Sequence, residues 1–68
     1  MHETLTRREE EVLQLLATGL SNKAIGEQLC LAEHTVEHHL KQIYRKLGVK
    51  KRVEATNAYW RLKNNGNP

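Results

Sequence analysis

Between Glu33 and Leu47 the apolar residues Val36, Leu40, Ile43 and Leu47 recur at steps of three and four, which places them on one line of a helix. His34, His38, Lys41 and Arg45 fall on the opposite line. This stretch therefore predicts a helix with one side that packs and one that faces outward. Three shorter helices follow from the same periodicity. Val12, Leu13 and Leu16 mark the inner face of one over about residues 7–18. Ala24, Ile25 and Leu29 mark a second over about 22–29, and Ala55, Ala58, Tyr59 and Leu62 a fourth over about 53–62. No alternating strand pattern competes, so the expected class is all-α with four helices.

The ends of these helices carry their own signals. Thr6 followed by Glu9 is a capping box for the first helix, and Gly19 suits a left-handed residue after it. Ser21 is the cap of the second helix, and Cys30, Leu31 and Ala32 form a three-residue turn. The third helix should stop at Gly48, with Arg45 and Lys46 complementing its dipole. One domain is expected over residues 5–62, with residues 1–4 and 63–68 disordered. A short helix, a tight turn and a longer helix with a polar outer face make the helix-turn-helix arrangement that enters the DNA major groove.

Composition narrows the chemistry. A chain of 68 residues buries only about 60% of the surface its unfolded form exposes, so a deep catalytic pocket is not expected. With one Trp, two Tyr and no Phe, the core must be aliphatic. Neither a nucleophile elbow nor a phosphate-cradling glycine loop is present, and no enzyme activity or cofactor is expected. The single cysteine excludes an internal disulfide and suits a reducing, cytoplasmic setting. Cys30 lies between Leu29 and Leu31 and is expected to be a small buried hydrophobe. His34 and His38 share a helical face one turn after it, but nothing completes a zinc pattern, and no metal is expected.

The net charge of +3 is unevenly spread. Residues 41–52 hold six of the eleven basic residues, Lys41, Arg45, Lys46, Lys50, Lys51 and Arg52, and no acid. Glu3, Glu9, Glu10 and Glu11 crowd the first eleven residues. This polarity suits a basic face for a polyanion. Glu9 and Glu11 either pair with basic residues of the third or fourth helix or sit in a solvated first turn.

Four blocks carry a family resemblance. They are Leu5-Thr6-x-Arg8-Glu9-x-Glu11-Val12-Leu13, Gly19-x-Ser21-Asn22-Lys23-x-Ile25, Thr35-Val36-x-x-His39-Leu40-x-x-Ile43-x-x-Lys46-Leu47-Gly48-Val49, and Arg52-x-Glu54-Ala55. Together they closely resemble the LuxR/FixJ-type (GerE-like) DNA-binding domain over about Leu5 to Tyr59. That resemblance implies a bacterial-type transcription regulator in which helices two and three form the helix-turn-helix. Base-reading positions would be Glu37, His38, Lys41 and Gln42. Backbone contacts would come from Ser21, Asn22, Lys23, Thr35, Arg45, Lys46, Lys50 and Lys51. Duplex DNA is the implied partner, with a second copy of the chain joined through helix four and RNA polymerase as a further contact. No membrane and no small-molecule ligand is implied for this domain.

Two positions depart from the family pattern. Glu37 stands where a lysine is usual; it either accepts from a cytosine amino group or pairs with Lys41 one turn on. Ala32 replaces the usual serine cap of the third helix. On helix four, Val53, Thr56, Asn57 and Trp60 form a second stripe, read either as a dimer contact or as a Trp folded onto its own domain. Alternatives from other classes are a sigma-factor-like promoter-reading domain and a helical protein-interaction module.

Overall fold

The structure is a computed structural model that describes residues 4–65. It contains α1 (Arg7–Ala17), α2 (Asn22–Leu29), α3 (Glu33–Leu47) and α4 (Arg52–Asn65), with no strand among the described residues. The predicted caps organise α1 and α2. Thr6 Oγ1 accepts from the Glu9 amide at 3.1 Å, and Glu9 Oε1 accepts from the Thr6 amide at 2.9 Å. Ser21 Oγ accepts from the Ala24 amide at 3.1 Å. Both ends use the side-chain oxygen to satisfy an amide that the first helical turn leaves unpaired.

The joint between α2 and α3 is built differently. Cys30 ends α2 in the left-handed region at φ 59°, a conformation that favours glycine. That turn takes its side chain out of register with the Ile25–Leu29 face, and Cys30 is exposed rather than buried as expected. Gly26 is buried, and a Cβ built on it would lie 2.5 Å from the Leu31 carbonyl oxygen. Its own carbonyl accepts from the Leu31 amide at 2.8 Å. The chain thus folds back onto the last turn of α2 at a distance only glycine allows.

The core consists of Val12, Leu13, Leu16, Ile25, Val36, Leu40, Ile43 and Ala55. α1 packs against the other three helices, and α2 and α3 pack on each other. On α4 Ala55 is fully buried, while Ala58 and Tyr59 are half-buried. Leu62, expected to face inward, is 58% exposed. It sits on the rim of an open groove with Leu5, Leu13 and Tyr59, where α4 runs past the end of the small core.

α4 also differs in its bounds. It starts at Arg52 because Glu54 Oε1 accepts from the amides of Lys50 at 2.8 Å and Lys51 at 3.0 Å, closing the helix start one residue earlier than expected. It runs to Asn65, so Lys63, Asn64 and Asn65 are helical rather than disordered. No glycine or proline intervenes before Gly66, and Lys63 Nζ lies 5.7 Å from the centroid of the Tyr59 ring one turn back. Thr4, expected in the disordered arm, is described, and its carbonyl accepts from Lys46 Nζ at 3.5 Å. Residues 1–3 and 66–68, the rest of the expected disordered ends, lie outside the described residues.

An ion pair ties α1 to α3 beneath this surface. Glu9 Oε1 lies 2.8 Å from Lys46 Nζ, with side-chain exposures of 7% and 11%. Burial pushes the Glu9 carboxyl up, but the Lys46 hydrogen bond and then the Thr6 amide outweigh it and hold the carboxyl below its ordinary value of 4.5. Of the two acids left open above, Glu9 reaches another helix and Glu11 pairs within α1 to Arg8 at 3.2 Å.

Two outcomes follow. Gly26→Ala should destabilise the domain by about 1–3 kcal/mol in a denaturant melt, because the Leu31 carbonyl is backbone and must shift. Since the folded Glu9 carboxyl is held low, its contribution is present above pH 4.5 and is lost as pH falls through the folded value. Glu9→Gln should therefore be less stable at pH 7 by about 1–3 kcal/mol and lose less stability on acidification, as read from melts across pH 2–7.

Candidate nucleic-acid interface

Because Val36, Leu40 and Ile43 are buried, the opposite side of α3 faces solvent. Glu37, His38 and Lys41 are exposed there, and with His34 they line one shallow depression. Glu37 and Lys41 form no ion pair among the described residues, so both side chains remain directed at that depression. Gln42 is half-buried, and its Oε1 accepts from Arg45 Nε at 3.2 Å and from the Arg45 guanidinium Nη2 at 2.9 Å. The four expected readers thus share a helix but differ in state: three stand open, and the carbonyl of the fourth is engaged.

The expected backbone contacts divide similarly. Ser21 and Lys23 are exposed at the start of α2, and Thr35 is half-buried in the first turn of α3. Lys50 and Lys51 are exposed in the elbow before α4, with their amides fixed by Glu54. Asn22 Oδ1 accepts from Arg52 Nη1 at 2.8 Å. Lys46 is placed differently from expectation. Its ammonium is bound to Glu9 and nearly buried, because it follows Ile43 by three residues and so lies beside the apolar line rather than opposite it.

Arg52 and Glu54, both in the Arg52-x-Glu54-Ala55 block, take structural roles. For Glu54 the signal was available: an acid three residues after Lys51 is half of a capping box. For Arg52, whose acceptors lie 30 and 32 residues away in the chain, no local signal exists.

On α4, Val53 is 62% and Trp60 46% exposed, Asn57 is exposed and Thr56 half-buried. Trp60 stands edge-on to Tyr59 at 5.0 Å between ring centroids. The Trp is therefore propped against its neighbour without being folded away.

Two helices crossing through a tight turn, with an open polar face on the second, define the helix-turn-helix in three dimensions. Residues 3–59 match the family GerE, bacterial regulatory proteins, luxR family. The chain belongs to the luxR family. Its regulators bind DNA and are not enzymes, and the match decides between the two helix-turn-helix types that the sequence evokes. A nitrate/nitrite response regulator protein homolog of Haemophilus influenzae is 52% identical over 54 residues, 79% of this chain and 26% of that protein. The transcriptional regulatory protein DegU of Brevibacillus brevis is 51% identical over 51 residues, 75% of this chain and 22% of that protein. The chain thus spans about a quarter of the length of these curated relatives.

Solved luxR-family structures agree. The response regulator ChrA of a heme-sensing two-component system superposes with a TM-score of 0.85 at 41% identity, over 93% of this chain and 31% of that one. The DNA-binding domain of the response regulator ComA, solved in complex with the anti-activator RapF, superposes at 0.79 and 36% identity, over 81% of this chain and 95% of that one. Among the described residues no helix is long and apolar enough to cross a membrane.

Against that luxR-family pattern, the start of α3 lacks a side-chain cap. Ala32 has the extended geometry of a cap, φ −66° and ψ 151°, but offers no oxygen to the first-turn amides. Ala32→Ser should raise stability by about 1 kcal/mol, seen as an increase of about 4–8 °C in the thermal midpoint.

Proposed function

We propose that this chain is the sequence-specific DNA-binding output domain of a bacterial-type transcription regulator and places α3 in the major groove. The observation that carries the reading is the exposed Glu37, His38 and Lys41 face directly behind the buried Val36–Leu40–Ile43 line. Lys41 donates to guanine, and Glu37 accepts from a cytosine amino group. His38 supplies a further donor between them. Gln42 reads adenine through both ends of its amide once a phosphate draws Arg45 off its Oε1.

Backbone contacts come from Ser21, Asn22 and Lys23 at the start of α2, Thr35 in α3, Arg45, and the elbow residues Lys50 and Lys51. Lys46 is left out of this set because it is bound to Glu9. Val53, Thr56, Asn57 and Trp60 join α4 to the α4 of a second copy, and the dimer spans two half-sites about 34–36 Å apart in dyad symmetry. The work is done in the cytoplasm, where the chromosome and RNA polymerase, a further partner, are met.

Selection of bound duplexes from a random pool tests this reading. The expected product is a dyad-symmetric motif, and affinity should fall steeply between about 50 and 200 mM salt. Lys41→Ala should weaken binding to the selected site by about 1–3 kcal/mol and relax its preference, whereas Lys23→Ala should weaken all sequences alike. A site preference that survives replacement of both Glu37 and Lys41 would sink the reader assignment.

A further inference from the structure

α2 and α4 do not pack on each other; each packs on α1 and α3. One side chain nevertheless bridges the gap. Arg52, the first residue of α4, donates through Nη1 to Asn22 Oδ1 at 2.8 Å and through Nη2 to the Leu20 carbonyl. Asn22 is the first residue of α2, and Leu20 lies in the loop that leads into it. The backbone that carries Arg52 is itself held, since Glu54 closes the two preceding amides. A planar guanidinium bound at two nitrogens fixes orientation as well as distance, which an ammonium on one acceptor does not.

We infer that Arg52 is a positioning residue that sets the angle between the helix-turn-helix and α4, and thereby the half-site spacing the dimer accepts. The inference rests on the dimer reading above. α4 is seated mainly on α1, whereas the reading unit is α2 with α3, and the elbow joining α3 to α4 is only residues 48–51. Each added base pair moves a half-site by about 3.4 Å and rotates it by about 34°. A strut that stops α2 from rocking against α4 turns that displacement into lost contacts. Because the Arg52 side chain is exposed, its hydrogen bonds add little to folding, so its effect is geometric.

The test uses palindromic duplexes built from the half-site selected by the wild-type chain, with the central spacing changed by one base pair in either direction. Arg52→Lys keeps the charge and abandons the fork. Wild type should lose about tenfold in affinity at either altered spacing, about 1.4 kcal/mol, and R52K should lose no more than about threefold. Affinity for a duplex carrying one half-site, and its base preference, should stay within about twofold in R52K. R52K retaining the tenfold discrimination overturns the inference. R52Q, which reaches one acceptor at most, serves as the second variant. Loss of the helical fold in both would also overturn it, by making Arg52 a support of the fold. A wild-type chain that binds single half-sites as well as pairs would instead sink the dimer reading on which the inference stands.

Discussion

Everything on the outward side of this domain depends on how the inner face of α3 is seated. Val36 and Ile43 are fully buried and Leu40 nearly so, against a core with no large aromatic residue to accommodate a shift. A close-packed aliphatic interior holds a helix in one rotation about its axis. That rotation decides which of Glu37, His38 and Lys41 stands proud. The Glu9–Lys46 pair acts at the same joint, because it pins the C-terminal part of α3 to the capped start of α1. Burial on one side of α3 and exposure on the other are therefore one constraint.

The fold was legible where local rules decide. Thr6 with Glu9, Ser21 and Gly48 each announced a helix end, and the three- and four-residue spacing of Val36, Leu40 and Ile43 announced the buried face. The rest depended on backbone geometry and on partners distant in the chain. Lys46, expected at the DNA backbone, follows Ile43 by three residues, a step that places it near the core and within reach of Glu9. Cys30 was read from its apolar neighbours, whereas the left-handed backbone decided its exposure. The Arg52 fork joins residues 30 and 32 apart and lies beyond any local pattern.

α4 illustrates a different limit. Periodicity put Leu62 inward with Ala55, Ala58 and Tyr59 and Trp60 on the other stripe, but spacing alone does not say how far along the helix the small core extends. The structure admits neither fully: Ala55 takes the inward position, and Leu62 and Trp60 stay 58% and 46% exposed. A domain this small runs out of interior before it runs out of apolar side chains. The surplus on α4 stays on the surface as Val53, Trp60 and Leu62.

The joint between α2 and α3 bears on what holds the helix-turn-helix together. It begins with a non-glycine residue in the left-handed region and ends at a helix start with no side-chain cap. An eight-residue helix such as α2 cannot stand alone in water, and the turn has neither a glycine at its left-handed residue nor a side-chain cap at the start of α3. What holds it is the Gly26–Leu31 approach, a contact between residues five apart, and the burial of Ile25, which needs the other helices. The helix-turn-helix is thus held by the core as much as by its own turn.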